Sequence, residues 1–278
     1  MSMSPEQALA LFPPQEMLTP LGRVHYRAAG RAPAVSHVLL HGIGSGSASW
    51  VRQLQAADAA PLAAQVRLLA WDAPGYESTD PVAPDWPQAS DYAARLWAWL
   101  DALNMPQPIT LVGQSLGALM AASAAVLQPA RVARLVLLAP AAGYADASEE
   151  ERTRKLVDRL ALLKQLGPAG MAEARAAGML SPQAAPELLT VVRAAMARVH
   201  PAGYTQAARL LAHGDLLADL ARLTCPVQVA SGSADKLTPP AACDRVAAGC
   251  GVSRLDLGPV GHACMLEAAA QVNALLGL

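Results

Sequence analysis

The sequence predicts an α/β fold: a mostly parallel central sheet flanked by helices, with a block of helices inserted late in the chain. Three observations carry this. Short apolar runs ending in Gly, Pro or Asp alternate with helical segments. Runs such as Leu135-Val136-Leu137-Leu138 show no polar alternation, as expected of strands buried on both faces. Between Ala141 and about Arg222 the strand-like runs stop.

In chain order, residues 22–29 alternate loosely and read as an early antiparallel strand. Strands are then expected over 36–40, 66–71, 109–112, 132–139, 225–230 and 253–257, joined by right-handed crossovers. Residues 92–103 read as a helix with Leu96, Trp99, Leu100 and Leu103 on one face. An alanine-rich helix follows the 109–112 strand. The strand-free block opens on Ser148-Glu149-Glu150-Glu151, a capping box, and Leu156, Leu160 and Leu163 then recur at helical spacing. Gly167-Pro168 stops that helix. A second short helix ends near Gly178, Ser181-Pro182 starts a third that runs to about Val199, and 204–213 form a fourth. Strands resume only at Cys225, immediately before an acidic loop. The block therefore reads as a cap, 141–222, inserted into a core made of 1–140 and 223–278; the plainer alternative is a helix-rich side of the core.

A chain of 278 residues with 53% hydrophobic and 15% charged residues suits one large domain, or one domain with a substantial insertion. A net charge of −1 gives no electrostatic case for nucleic acid or an anionic membrane. A small-molecule substrate is the expected partner, and a homo-oligomer is left open. Arginine outnumbers lysine 18 to 3, but the arginines are scattered along the sequence, so no basic patch is expected for a polyanionic substrate. Cys225, Cys243, Cys250 and Cys264 form no C-x-x-C and no metal spacing. They read as reduced, mostly buried thiols of a cytoplasmic protein. No signal-peptide pattern and no membrane-spanning run is expected.

The chemistry centres on Gly113-Gln114-Ser115-Leu116-Gly117, a G-x-S-x-G sequence between a β-branched run and an alanine-rich run. Strand, tight turn and helix would hold the Ser115 hydroxyl exposed at the top of a sheet. A serine hydroxyl is a poor nucleophile unless an adjacent base takes its proton and an acid orients that base. After Ser115 the histidines are His200, His213 and His262. The first two lie in the helical block, whereas His262 follows the last strand. Asp235 lies on the loop after the 225–230 strand; its competitors are Asp244, in a helix, and Asp256, in a strand.

With His41-Gly42-Ile43-Gly44, Ser49-Trp50, Asp72-Ala73-Pro74-Gly75-Tyr76, Gly232-x-x-Asp235-x-x-x-Pro239 and Gly261-His262 with Glu267, the sequence resembles the cap-bearing α/β-hydrolase superfamily over essentially residues 20–278. It is similar to serine esterases and enol-lactonases of that group. The resemblance implies the α/β-hydrolase fold and assigns roles. Ser115 attacks a carbonyl carbon, His262 moves the proton, and Asp235 fixes the imidazole. The backbone N–H groups of Leu116 and Ile43 bind the oxyanion, and no metal or organic cofactor is required. His41 and Asp72 would brace loops, Glu267 would support the final helix, and Trp50 and Gln114 are candidates to line the pocket. Glu77 departs from the pattern, standing where many relatives carry glycine, which puts the local loop shape in question.

The expected function is hydrolysis of a small, mostly apolar carboxylic ester, thioester or lactone. One alternative keeps the triad and cleaves a carbon–carbon bond in a vinylogous diketone, although Gln114 stands where that group would carry asparagine. Another is a non-catalytic ligand-binding receptor of the same fold. Dehalogenases and epoxide hydrolases are disfavoured because they carry aspartate at the position of Ser115.

Overall fold

The computed structural model describes residues 3–59, 62–105 and 107–278. The strands are β1 (Gln15–Thr19), β2 (Gly22–Ala29), β3 (His37–Leu40), β4 (Leu68–Trp71), β5 (Ile109–Gln114), β6 (Val132–Leu138), β7 (Val227–Ser231) and β8 (Arg254–Asp256). They form one eight-stranded sheet in the order β1-β2-β4-β3-β5-β6-β7-β8. β1 and β2 run antiparallel, and the pairs from β3/β4 to β7/β8 are parallel.

The missing polar alternation has a direct cause. Val38 and Leu40 join one core cluster while Leu39 joins the other. Leu135 and Leu137 part from Val136 and Leu138 in the same way. Both faces of these strands are covered, so both side-chain sets are apolar. β1 escaped the sequence reading because Gln15-Glu16-Met17-Leu18-Thr19 is a largely exposed edge strand whose side chains need no apolar pattern.

The helices are α1 (Pro5–Ala10), α2 (Val51–Asp58), α3 (Ala89–Ala102), α4 (Gly117–Leu127), α5 (Glu149–Arg175), α6 (Pro186–Ala197), α7 (Pro201–His213), α8 (Leu216–Leu220), α9 (Pro240–Gly249), α10 (Cys264–Glu267) and α11 (Ala269–Leu276). α3 buries Tyr92, Leu96, Trp99 and Leu100, and Trp99 stacks on Trp71 of β4 with ring centroids 6.4 Å apart.

α5 to α8 fill the chain between β6 and β7. α5 breaks at Gly167, whose φ of 63° is outside the helical region, and Pro168 begins its second segment. Ser148 caps α5 by accepting from the Glu151 N–H at 3.2 Å. The reciprocal half of the expected capping box is not made; the Glu151 carboxylate pairs with Lys155 at 3.5 Å instead. The expected start of the third helix at Ser181-Pro182 is corrected to Pro186. Ser181 gives both its N–H and its hydroxyl to Glu267, so its side chain does not cap a helix. No helix among the described residues is long and apolar enough to cross a membrane.

Candidate active site

Ser115 sits in the turn between β5 and α4 with a φ of 53°, a left-handed conformation costly for a residue with a Cβ. The two flanking glycines make that turn possible. A Cβ on Gly113 would lie 2.5 Å from the Gly117 carbonyl oxygen, and one on Gly117 would lie 2.3 Å from that of Leu40. The turn is pinned to the sheet: the Ser115 N–H donates to the Leu138 carbonyl at 3.0 Å. Its hydroxyl has no hydrogen-bond partner among the described residues, and Ser115 lines a cavity of about 430 Å³ together with His262. The volume suits a small organic molecule.

Asp235 and His262 come from the loops after β7 and β8. His262 Nδ1 lies 2.8 Å from Asp235 Oδ2, and both side chains are buried. Asp235 Oδ1 accepts from the N–H groups of Leu237 and Thr238 at 2.8 and 3.0 Å, and the Thr238 hydroxyl lies 2.8 Å from Oδ2. Burial pushes the Asp235 carboxyl up, but the His262 hydrogen bond, then the imidazole charge and the Thr238 bonds, outweigh it. The group is held below the ordinary carboxylate range. An ionised carboxylate only accepts, so His262 carries its proton on Nδ1 and leaves Nε2 as the basic atom. Asp244 and Asp256 instead face Arg254, at 2.8 and 3.7 Å.

The backbone around His262 is clamped from three sides. The Gly261 N–H donates to Glu267 at 2.9 Å, the His262 carbonyl accepts from Gln114 Nε2 at 3.2 Å, and the Ala263 N–H donates to the Met179 carbonyl at 2.9 Å. Glu267 also receives the Ser181 N–H at 3.1 Å and its hydroxyl at 2.5 Å. It ties the histidine loop to the helical insertion. Thr238 was missed by sequence reasoning. Its signal was the Asp-x-x-Thr spacing, which lets an aspartate accept from backbone and hydroxyl three residues on.

The loop after β3 carries Ile43, which lines the cavity. Neither the Ile43 N–H nor the Leu116 N–H is engaged in a backbone hydrogen bond among the described residues. Tyr76 Oη donates to the Ile43 carbonyl at 2.6 Å. His41 Nδ1 donates to the Gly42 carbonyl at 2.8 Å and Nε2 accepts from the Ala73 N–H at 2.9 Å. Burial pushes the His41 imidazole below its ordinary range, so it is a neutral brace between two loops. Asp72 accepts from the Ser47 N–H and hydroxyl and meets His25 Nδ1 at 2.6 Å. Glu77 keeps the left-handed conformation that glycine would favour, with a φ of 46°, and its carboxylate pairs with Arg198 of the insertion at 2.7 Å.

Two pocket candidates are corrected. Trp50 is fully buried in the core beside Val51 and Leu54, because its ring belongs to the packing under the loop and not to the cavity wall. Gln114 is 1% exposed and its amide is engaged by His262, so it braces the histidine loop from beneath. Cys264 is buried, and that burial pushes its thiol well above the ordinary range, unsuited to a second nucleophile. The expectation that the arginines gather nowhere is also corrected: Arg159, Arg175 and Arg245 line the cavity. Among the described residues no cluster of His, Cys, Asp and Glu is arranged to hold a metal ion.

Among known proteins, the family model described as "Alpha/beta hydrolase family" matches residues 38–275. RutD of Klebsiella pneumoniae (strain 342), named for carbamate hydrolysis, is 32% identical over 253 residues, 88% of this chain and 90% of that one. The 2-hydroxy-6-oxononadienedioate/2-hydroxy-6-oxononatrienedioate hydrolase of Paraburkholderia xenovorans (strain LB400) is 34% identical over 122 residues. That match spans only 41% of the relative's length and 44% of this chain. An enol-lactonase from Burkholderia xenovorans LB400 shares the fold with a TM-score of 0.81 at 20% identity, over 95% of this chain and 98% of that one. Sheet order, elbow and nearly full-length family match converge: the chain belongs to the alpha/beta hydrolase family, a family of hydrolytic enzymes.

Proposed function

We propose that the protein is a serine hydrolase that cleaves a small, mostly apolar carboxylic ester, thioester or lactone through an acyl-enzyme. The observation that carries this reading is the convergence on one cavity of the unpaired Ser115 hydroxyl and the His262 imidazole, the latter backed by Asp235 at 2.8 Å. His262 Nε2 takes the Ser115 proton as Oγ attacks the carbonyl carbon. The oxyanion is received by the N–H groups of Leu116 and Ile43, both free of backbone partners among the described residues. The tetrahedral adduct collapses, and His262 passes its proton to the leaving oxygen or sulfur. Water, deprotonated by His262, then attacks the acyl-enzyme and releases the acid. Closure of the Ser115–His262 hydrogen bond is expected on substrate binding, as catalytic hydrogen bonds are often looser without ligand.

The helices between β6 and β7 act in this reading as a cap. Leu162, Met171, Met196 and Leu211 give the cavity its apolar wall. A carbamate, the substrate class in the name of the RutD relative, presents the same carbonyl to the same serine. Carbon–carbon cleavage ranks below ester cleavage because Gln114, where that group would carry asparagine, donates its amide N–H to the His262 carbonyl and is not part of the cavity lining.

The test is turnover of 4-nitrophenyl esters of graded acyl length, run beside a lactone and a vinylogous diketone. Ester hydrolysis is expected, with Ser115→Ala lowering kcat about 10⁵- to 10⁶-fold while the fold is kept. Wild-type turnover in the purified Ser115→Ala protein would sink the assignment.

A further inference from the structure

The charged part of the cavity wall is entirely cationic. Arg159 from α5, Arg175 from the end of α5 and Arg245 from α9 line it, and among the described residues no Asp or Glu does. Arg159 is half-buried, while Arg175 and Arg245 stand exposed at the rim. Elsewhere arginines find partners: Arg131 meets Asp101 at 2.6 Å, Arg198 meets Glu77 at 2.7 Å and Arg254 meets Asp244 at 2.8 Å. Arg67, Arg154, Arg159, Arg175 and Arg245 form neither an ion pair nor a side-chain hydrogen bond among the described residues. Three of these face one cavity. The chain has more acidic than basic residues, 22 against 21, so unpaired cations gathered at one place do not follow from composition. Three like charges around an apolar cavity repel one another unless an anion joins them.

Resting on the reading of Ser115 as the nucleophile, we propose that the substrate carries a carboxylate remote from its scissile carbonyl, received by Arg159, Arg175 and Arg245. The substrate class is then the half-esters, or lactones with a free acid, rather than simple neutral esters. Guanidinium forks match a carboxylate with two parallel N–H···O bonds. A phosphoryl group is commonly met by the backbone N–H groups of a helix N-terminus. Here the cations sit within α5, at its C-terminal end and within α9, none of them at a helix N-terminus. The apolar wall would hold the chain between the two ends of the substrate.

The experiment compares 4-nitrophenyl half-esters of the dicarboxylic acids from succinate to suberate with 4-nitrophenyl alkanoates of equal chain length, after subtracting spontaneous hydrolysis. At low ionic strength, kcat/KM for the best half-ester is expected to exceed that of its alkanoate about tenfold, and the preference shrinks in high salt. Arg159→Gln removes most of the preference, while Arg175→Gln and Arg245→Gln each reduce it about two- to fivefold, as rim charges do. Thermal melting checks that each variant is folded, and the wild-type comparison with its salt dependence needs no variant at all. The proposal is overturned if no half-ester outperforms its alkanoate at any length, or if the preference persists in the triple Arg→Gln variant. If neither class of ester is turned over, the serine reading fails separately. Calorimetry on Ser115→Ala protein then decides the anion site alone: adipate monomethyl ester binding more tightly than dimethyl adipate supports it, and equal binding overturns it.

Discussion

Around Asp235 each carboxylate oxygen faces donors: two backbone N–H groups, a threonine hydroxyl and the His262 ring, all within 3.0 Å. Around Arg159, in the helices above, no side-chain hydrogen bond or ion pair forms among the described residues, and the cavity wall it joins holds no carboxylate among them. The strand-end loops hold their polar groups in a closed network, which suits a proton-transfer site that must be rigid. In the helical insertion Arg159 and Arg175 line the cavity with no side-chain partner among the described residues, which suits recognition of something that comes from outside. Glu267 joins the two regions, accepting from Gly261 on the core side and Ser181 on the insertion side.

This contrast predicts a graded set of effects. Asp235→Asn breaks the closed network at its centre. It is expected to cost about 10⁴ in kcat through the wrong histidine tautomer, with KM little changed; steady-state kinetics on the ester panel measure it. Glu267→Ala cuts the joint and leaves the Gly261 and Ser181 donors without their acceptor. A loss of about 2–3 kcal/mol is expected in urea unfolding, together with a fall in kcat because the His262 loop loses a clamp. Unchanged kcat in the Glu267→Ala protein would mean that the insertion does not help position His262.

Asp72 tests the brace beneath the site. Burial pushes its carboxyl up, but the hydrogen bond to His25, then the neighbouring His41 ring and the Ser47 N–H, outweigh that and hold it below the ordinary range. Its folded pKa is therefore lower than its unfolded one. The stabilisation is complete above the unfolded value of about 3.9 and is lost as pH falls through the folded value. Asp72→Asn should cost about 2 kcal/mol near pH 7 and flatten the acid limb of the stability curve. A parallel curve, shifted but not flattened, would contradict this. Arg198→Gln, at an exposed ion pair with Glu77, should change stability by less than about 1 kcal/mol, read as a small shift in the urea midpoint.

The same contrast explains what was legible in the sequence. Ser115, Asp235 and His262 sit on loops at strand ends, and strand ends announce themselves by apolar runs meeting Gly, Pro and Asp. A motif of a few adjacent residues encodes each such loop, so local sequence carries its geometry. Thr238 was within reach of the same reasoning, three residues from Asp235. Arg159, Arg175 and Arg245 were not, because α5 and α9, far apart in the chain, bring them to one cavity only in the folded protein. Trp50 failed in the opposite direction: its loop approaches the site, but its ring turns into the core. Ser181 likewise read as a helix start, because its true partner, Glu267, lies far along the chain. Periodicity records which face of a helix is apolar and not which side chain on the other face meets which cavity.

The most direct test of the central claim is the mass of the intact protein after treatment with a fluorophosphonate, followed by peptide mapping. One adduct is expected per chain, on Ser115, lost in Ser115→Ala and strongly slowed in an His262→Ala variant. No adduct while a control serine esterase in the same tube is labelled, or an adduct on another residue, would contradict the account.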